Sequence, residues 1–205
     1  MSAAPLSRRD QNKLEKRGRI IAAARAFFAQ KGFEATTTQE IADAAGVSVG
    51  TVFLYAKAKD DLLILVFHDE MSGVIDLAYR AALKRAGLVD QLCAFFEIEA
   101  DYHERDLPLA RALMRKLGFV DSAEQRDAVT ELMTANYTRL AMLIEAAKTR
   151  GEVGAAVPLL PAARSIFACY YLHLGGFLSG YIDRDRFDRM VREHFELLLK
   201  GLGAG

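Results

Sequence analysis

The 205 residues carry 27 Lys/Arg against 27 Asp/Glu, with 52% hydrophobic and 26% charged content, the composition of a soluble globular protein long enough to bury a substantial core. No apolar run reaches the about eighteen residues of a membrane span, and MSAAPLSRRDQNK has no apolar stretch behind its charges, so it does not read as a secretion signal. Two cysteines, Cys93 and Cys169, imply no disulfide framework, and a cytoplasmic location is expected.

The zero net charge hides an asymmetry. Residues 1–60 hold ten Lys/Arg against six Asp/Glu, a balance of +4, and the remainder carries −4. A basic head on an acidic body suits a polyanion-binding protein whose body avoids the polyanion.

Residues 1–14 read as a flexible basic arm, with Arg8, Arg9 and Lys13 in reach of phosphate or a minor groove. A first helix is expected from about Asp10 to Lys31, where Ile20, Ile21, Ala24, Phe27 and Phe28 repeat at three and four. Gly32 ends it. Thr37 followed by Glu40 is a capping box, and Ile41, Ala42 and Ala45 give the next helix its apolar stripe. Gly46 permits the positive φ of a sharp stop, Val47 plugs the space between helices, and Ser48 caps a further helix carrying Gly50, Thr51, Phe53, Leu54 and Tyr55. Lys57 and Lys59 follow. Two short helices around a glycine turn with basic flanks make a helix-turn-helix, whose second helix enters the major groove.

Residues 17–63 resemble the DNA-binding domain of TetR-type transcriptional regulators. The likeness rests on Ile20, Ile21, Ala24, Phe27, Phe28, Gly32, Phe33, the Thr-Thr pair, Ile41-Ala42, Ala45-Gly46-Val47-Ser48, Gly50-Thr51, Lys59 and Leu62-Leu63. Phe53 stands where that family usually has Tyr, and Ala56 where it has Phe. The resemblance implies that Thr38 and Gln39 open the first helix of the motif, where Gln39 can bond adenine in a bidentate manner. It also implies that Val49, Gly50 and Thr51 face base edges, with Leu54 and Tyr55 further along. Thr37, Tyr55, Lys57 and Lys59 are the phosphate candidates.

A longer helix starting at Lys59-Asp60-Asp61 and running to about residue 86 links head to body, and its early acids suit the helix dipole. In TetR-type proteins the corresponding helix moves when a ligand binds. Beyond it the pattern stays helical, with helices expected near 88–105, 108–117, 122–150, 160–180 and 184–201, separated by Gly- and Pro-bearing breaks. The fold class is therefore all-α, about nine helices. A head at 15–60 joins a ligand-binding and dimerisation body at 61–201, and 202–205 is a flexible tail.

Within the body, Gly175 and Gly176 permit close approach of another helix, and Phe187, Met190, Val191, His194, Phe195 and Leu198 form an apolar stripe. The resemblance makes these last two helices an intermolecular four-helix bundle, and two reading helices on a palindromic operator also require a homodimer. A pocket for a small, largely apolar effector is expected among Phe95, Phe96, Tyr102 and His103, then Met114 and Phe119, then Met133, Tyr137, Tyr170 and His173.

Catalysis, cofactors and metals are not expected. No Glu-x-x-His, phosphate loop or nucleophile elbow occurs, and Glu99 with His103 at i, i+4 reads as a surface pair before it reads as a metal site. The competing functions are a helical protein-interaction adaptor, a nonspecific DNA binder and, remotely, a metal-dependent helical-bundle enzyme. The expected function is a ligand-responsive, dimeric DNA-binding regulator, most readily a repressor.

Overall fold

The computed structural model describes residues 7–117 and 123–202. Among them are nine helices and no strand: α1 (Arg8–Lys31), α2 (Thr38–Ala45), α3 (Val49–Phe53), α4 (Lys59–Ala82), α5 (Leu88–Glu104), α6 (Leu107–Leu117), α7 (Ala123–Thr149), α8 (Leu159–Leu178) and α9 (Arg184–Leu202).

The N-terminal boundary differs from expectation. Ser7 accepts a hydrogen bond from the Asp10 amide and caps α1, so residues 8–14 are helical rather than a loose arm. This first half of α1 is largely exposed, and burial begins at Ile20. The Gly32 amide donates to the Phe28 carbonyl and closes α1.

Thr37 and Glu40 form the expected capping box, with the Glu40 carboxylate also ion-paired to Lys31 at 2.5 Å. Gly46 adopts φ 62°, the left-handed conformation that only glycine enters without strain, and its amide closes α2. Ser48 then caps α3, accepting from the Thr51 amide. Val52 and Ala56 are buried between the head helices and α4, so the small residue at position 56 still serves as the plug. The helix is shorter than expected: Leu54 is its cap and Tyr55 lies in the turn beyond.

α4 has no side-chain acceptor at its cap position, Ala58. Asp61 substitutes by accepting from the Lys57 and Ala58 amides at 2.6 and 3.1 Å. The helix ends at Ala82, earlier than expected, because residues 83–86 close into tight turns before Gly87 at φ 78°. Gln91 secures that turn by donating to the Arg85 carbonyl.

The body is built around α4, which packs on α5 and α7; α7 packs on α8, α8 on α9, and α9 returns to α5. Phe96 lies at the centre, stacked on Tyr170 with centroids 4.2 Å apart and touching Phe95, Phe167 and Phe195. Among the described residues no helix is long and apolar enough to cross a membrane.

Candidate functional site

The head presents α3 and the start of α2 outward. Thr37, Gln39, Ser48, Gly50, Phe53, Leu54 and Lys57 are exposed, while Thr38, Val49, Thr51 and Tyr55 are half-buried. Phe53 is 47% and Leu54 82% exposed, an unusual display of large apolar groups on one short helix. The polar groups around them are tethered. Gln39 donates to Asp43 at 2.8 Å, the Ser48 and Thr51 hydroxyls pair at 2.9 Å, and the Tyr55 hydroxyl donates to the Lys13 carbonyl at 3.2 Å. The last contact fixes the end of the reading unit to the exposed, basic half of α1.

Lys59 requires a correction. Expected at phosphate, its ammonium is turned inward onto the Phe33 and Glu34 carbonyls at 2.8 and 3.0 Å, 4.4 Å above the Phe33 ring. The Phe33 carbonyl also accepts from the Thr36 amide at 3.3 Å, so the cation adds a second bond there and a bond to the Glu34 carbonyl, with the ring face below it. Its role is to hold the turn to α4.

The dimer stripe also divides. Phe187, Val191 and Phe195 are buried within their own chain, Phe187 against Tyr170 and Phe177, and Phe195 against Phe96. Their apolar face is already satisfied, so they are core rather than interface. Gly176 faces Ile182 of the same chain, whereas Gly175 opens onto free space. Met190, His194 and Leu198 are half-buried beside the core, and the most exposed apolar groups on α8 and α9 are Leu172, 70% exposed, and Leu197, 65% exposed. Sequence periodicity missed both.

Two cavities adjoin in the body. An outer cleft of about 470 Å³ lies between α1, α4, α5 and α6, with Leu63, Val66, Leu109 and Leu113 inside and Arg25, Glu70, Tyr102, Arg105 and Asp106 at the rim. Arg25 of α1 pairs with Glu70 of α4, which also accepts from the Tyr102 hydroxyl of α5. This chain of contacts ties head to body. An inner cavity of about 40 Å³ lies deeper, among α4, α5, α6, α7 and α8. Phe67 and His103 line both spaces, their rings stacked at 5.8 Å, and so form the partition.

Of the expected pocket residues, Tyr102 and His103 line the cleft, and His103, Met114, Met133 and Tyr170 line the inner cavity. Phe95 and Phe96 are fully buried core instead, because their rings pack against each other and, for Phe96, against α8 and α9. Tyr137 packs edge-on to Phe167 and lines neither space, and His173 bonds His194 at 2.8 Å, joining α8 to α9. Phe119 lies outside the described residues.

The Glu99–His103 surface pair is likewise overturned, for both residues are buried. Burial pushes the Glu99 carboxyl up to about 8, against a smaller opposing effect of a hydrogen bond from Asn136. The same desolvation holds His103 down at about 4, so its ring is neutral. Among the described residues no group of His, Cys, Asp or Glu is arranged to hold a metal. Burial raises the Cys93 thiol to about 11 and moves Cys169 in the same direction, which disfavours the reactive thiolate in both.

Residues 20–66 match the family described as bacterial regulatory proteins, tetR family. An uncharacterized HTH-type transcriptional regulator of Bacillus subtilis, YvkB, is 28% identical over 91% of this chain and 96% of its own length. The HTH-type transcriptional repressor KstR of Mycobacterium tuberculosis is 29% identical over 61% of this chain and 58% of its own. The Thermus thermophilus repressor FadR, solved in complex with lauroyl-CoA, superposes with a TM-score of 0.74 at 25% identity, covering 91% of this chain and 94% of that one. These relatives are transcriptional regulators, not enzymes. With the all-helical head and body above, they support a TetR-type helix-turn-helix transcriptional regulator, the match to the family itself lying in residues 20–66.

Proposed function

We propose that the protein is a homodimeric repressor that binds a palindromic operator and is released from it by a small, largely apolar ligand held in the body. The observation that carries this reading is the solvent-exposed α3, whose Phe53 and Leu54 the fold leaves uncovered beside Gly50, Thr51 and Lys57. Residues 15–60 form the reading head and 61–201 the ligand-binding and dimerising body. Val49, Gly50 and Thr51 face base edges, with Phe53 and Leu54 suited to thymine methyls, and Thr38 and Gln39 read from the start of α2. Thr37, Tyr55 and Lys57 sit at phosphates; Ser48 orients Thr51. Leu172 and Leu197, with Gly175, Met190, His194 and Leu198 around them, form the two-fold contact. The lauroyl-CoA held by the Thermus FadR supports a hydrophobic ligand for a body of this shape, as does the apolar interior of the outer cleft.

Selection of bound duplexes from a random library at near-physiological salt tests the reading. An enriched palindrome is the expected result. Diffuse binding that vanishes as salt rises would overturn it and leave an adaptor or a nonspecific binder.

A further inference from the structure

The inner cavity is not simply apolar. Glu99 Oε1, His103 Nδ1, Asn136 Oδ1 and the Tyr170 hydroxyl have no hydrogen-bond partner among the described residues. All four residues line this one space and are at most 5% exposed. Buried polar atoms are rarely left so, and four converging from three helices specify a polar ligand group.

Their chemistry narrows the group. A carboxyl oxygen and an amide oxygen accept hydrogen bonds, a neutral imidazole nitrogen accepts when the other nitrogen carries the proton, and a phenol can do either. Asn136 turns its Nδ2 toward the Leu132 carbonyl at 3.4 Å. No Lys or Arg lines the cavity among the described residues, so an anionic head would meet acceptors and a carboxyl. The remaining wall combines Phe67, Phe167, Tyr171 and three methionines, surfaces that attract cations and hydrocarbon alike, with the aliphatic Leu117, Val129, Leu132 and Leu174. Three acceptors, a carboxyl and aromatic faces call for a donor-rich positive group.

The space holds a small head and no tail. Across the Phe67–His103 partition, however, the outer cleft offers an apolar trough lined by Leu63, Val66, Leu109 and Leu113. We propose that the inner cavity and the outer cleft form one effector site for an amphiphilic primary amine. Its ammonium is bound by Glu99, His103, Asn136 and Tyr170, and its hydrocarbon chain lies in the cleft after the partition parts. The proposal rests on the body being the ligand-binding half.

Binding carries a proton signature. The titratable groups around Glu99 are His103 on its own helix and Tyr170 and Tyr171 on α8; α4, α6 and α7 line the cavity with Phe67, Met71, Met114, Leu117, Val129, Leu132, Met133 and Asn136, none of which titrates. The free carboxyl, raised to about 8 by burial, is mostly protonated at neutral pH. An ammonium beside it favours the carboxylate and lowers that pKa, so binding releases a proton near pH 7 and releases none well above pH 8.

Isothermal titration of the full-length protein with decylamine, decanol, decanoate and lauroyl-CoA, in buffers of different ionisation enthalpy, tests this. Decylamine is expected to bind roughly tenfold or more tighter than decanol, with decanoate weaker still and about one proton released near pH 7. Glu99→Gln, which mimics the protonated carboxyl and preserves the fold, should bring decylamine to the level of decanol and abolish the proton release. Tyr170→Phe should weaken decylamine selectively. Decanoate or lauroyl-CoA binding as tightly as the amine, or Glu99→Gln leaving affinity and proton release intact, would overturn the proposal. Release of operator DNA by decylamine is a separate readout: if the amine binds with the proton signature but DNA stays bound, the amine site stands and its role as the releasing effector is overturned, whereas failure to bind any operator DNA, with or without amine, would overturn the repressor reading instead.

Discussion

Replacing Lys59 by Met keeps the length of the side chain and removes only its ammonium. That group donates to the Phe33 and Glu34 carbonyls at 2.8 and 3.0 Å and lies 4.4 Å over the Phe33 ring. Charge-assisted bonds are worth about 1.5–3 kcal/mol where partly buried, and the ring contact adds about 0.5–1 kcal/mol. Because Lys59 is half-buried, solvent screens part of this. The expected loss is therefore about 2 kcal/mol, or roughly 4–8 °C in the midpoint for a chain of this size. Thermal unfolding followed by circular dichroism, at one fixed protein concentration, reads it directly. The second half of the experiment separates a structural cation from a phosphate contact. A lysine on phosphate contributes about one unit to the slope of log affinity against log salt. Lys59→Met should lower stability and leave that slope alone, whereas Lys57→Ala, at an exposed position, should lower the slope by about one and leave stability alone. Wild-type stability combined with a reduced slope in Lys59→Met would refute the assignment.

Thr37→Ala removes one half of the capping box and should cost about 1 kcal/mol in denaturant titrations. Bonds from Lys31 and Thr37 hold the Glu40 carboxyl at about 2, well below its ordinary range. The sign follows: this contribution is complete above the unfolded value near 4.5 and is lost as pH falls through about 2. An NMR titration should show Glu40 moving upward in the Thr37→Ala protein, and an unmoved value would count against the bonded network. Leu172→Glu places a charge where the proposed two-fold contact buries a leucine twice, so sedimentation equilibrium should show the dimer weakened roughly a hundredfold; an unchanged dimer would place the contact elsewhere. Phe96→Ala empties the centre of the body and should cost about 3–5 kcal/mol in chemical denaturation, a cost that a peripheral ring would not carry.

Local chemistry explains what was legible in the sequence. Thr37 with Glu40, Gly46 and Ser48 act on backbone groups within four residues, so their pattern alone locates α2, its stop and the start of α3. The body helices were legible because their breaks carry Gly or Pro, although Pro158 and Pro161 proved to be the cap and the first turn of α8 rather than part of its preceding loop. Covering partners were not legible. Periodicity shows that α9 has an apolar face, but it cannot show that Phe187 and Phe195 are covered by Tyr170 and Phe96 of the same chain. Lys59 meets carbonyls some twenty-five residues earlier, and backbone acceptors leave no trace in residue identity. Glu99 and His103 declared their shared face by spacing, but Asn136 and Tyr170 join them only through the packing of α7 and α8 against α5.

Several contacts fasten the head to α4. Lys59 bolts the α1–α2 turn to the first turn of that helix, Asp61 holds the preceding amides, and Arg25 fastens α1 to Glu70 further along. Head and α4 are thus coupled at three points. The 24 residues of α4 span about 36 Å, so a tilt of about 5° at the body end carries the head by about 3 Å. In the proposed symmetric pair the two heads travel in opposite senses, which changes their separation by about 6 Å, nearly two base-pair steps of about 3.4 Å. A helix that fits one groove is then out of register with the next.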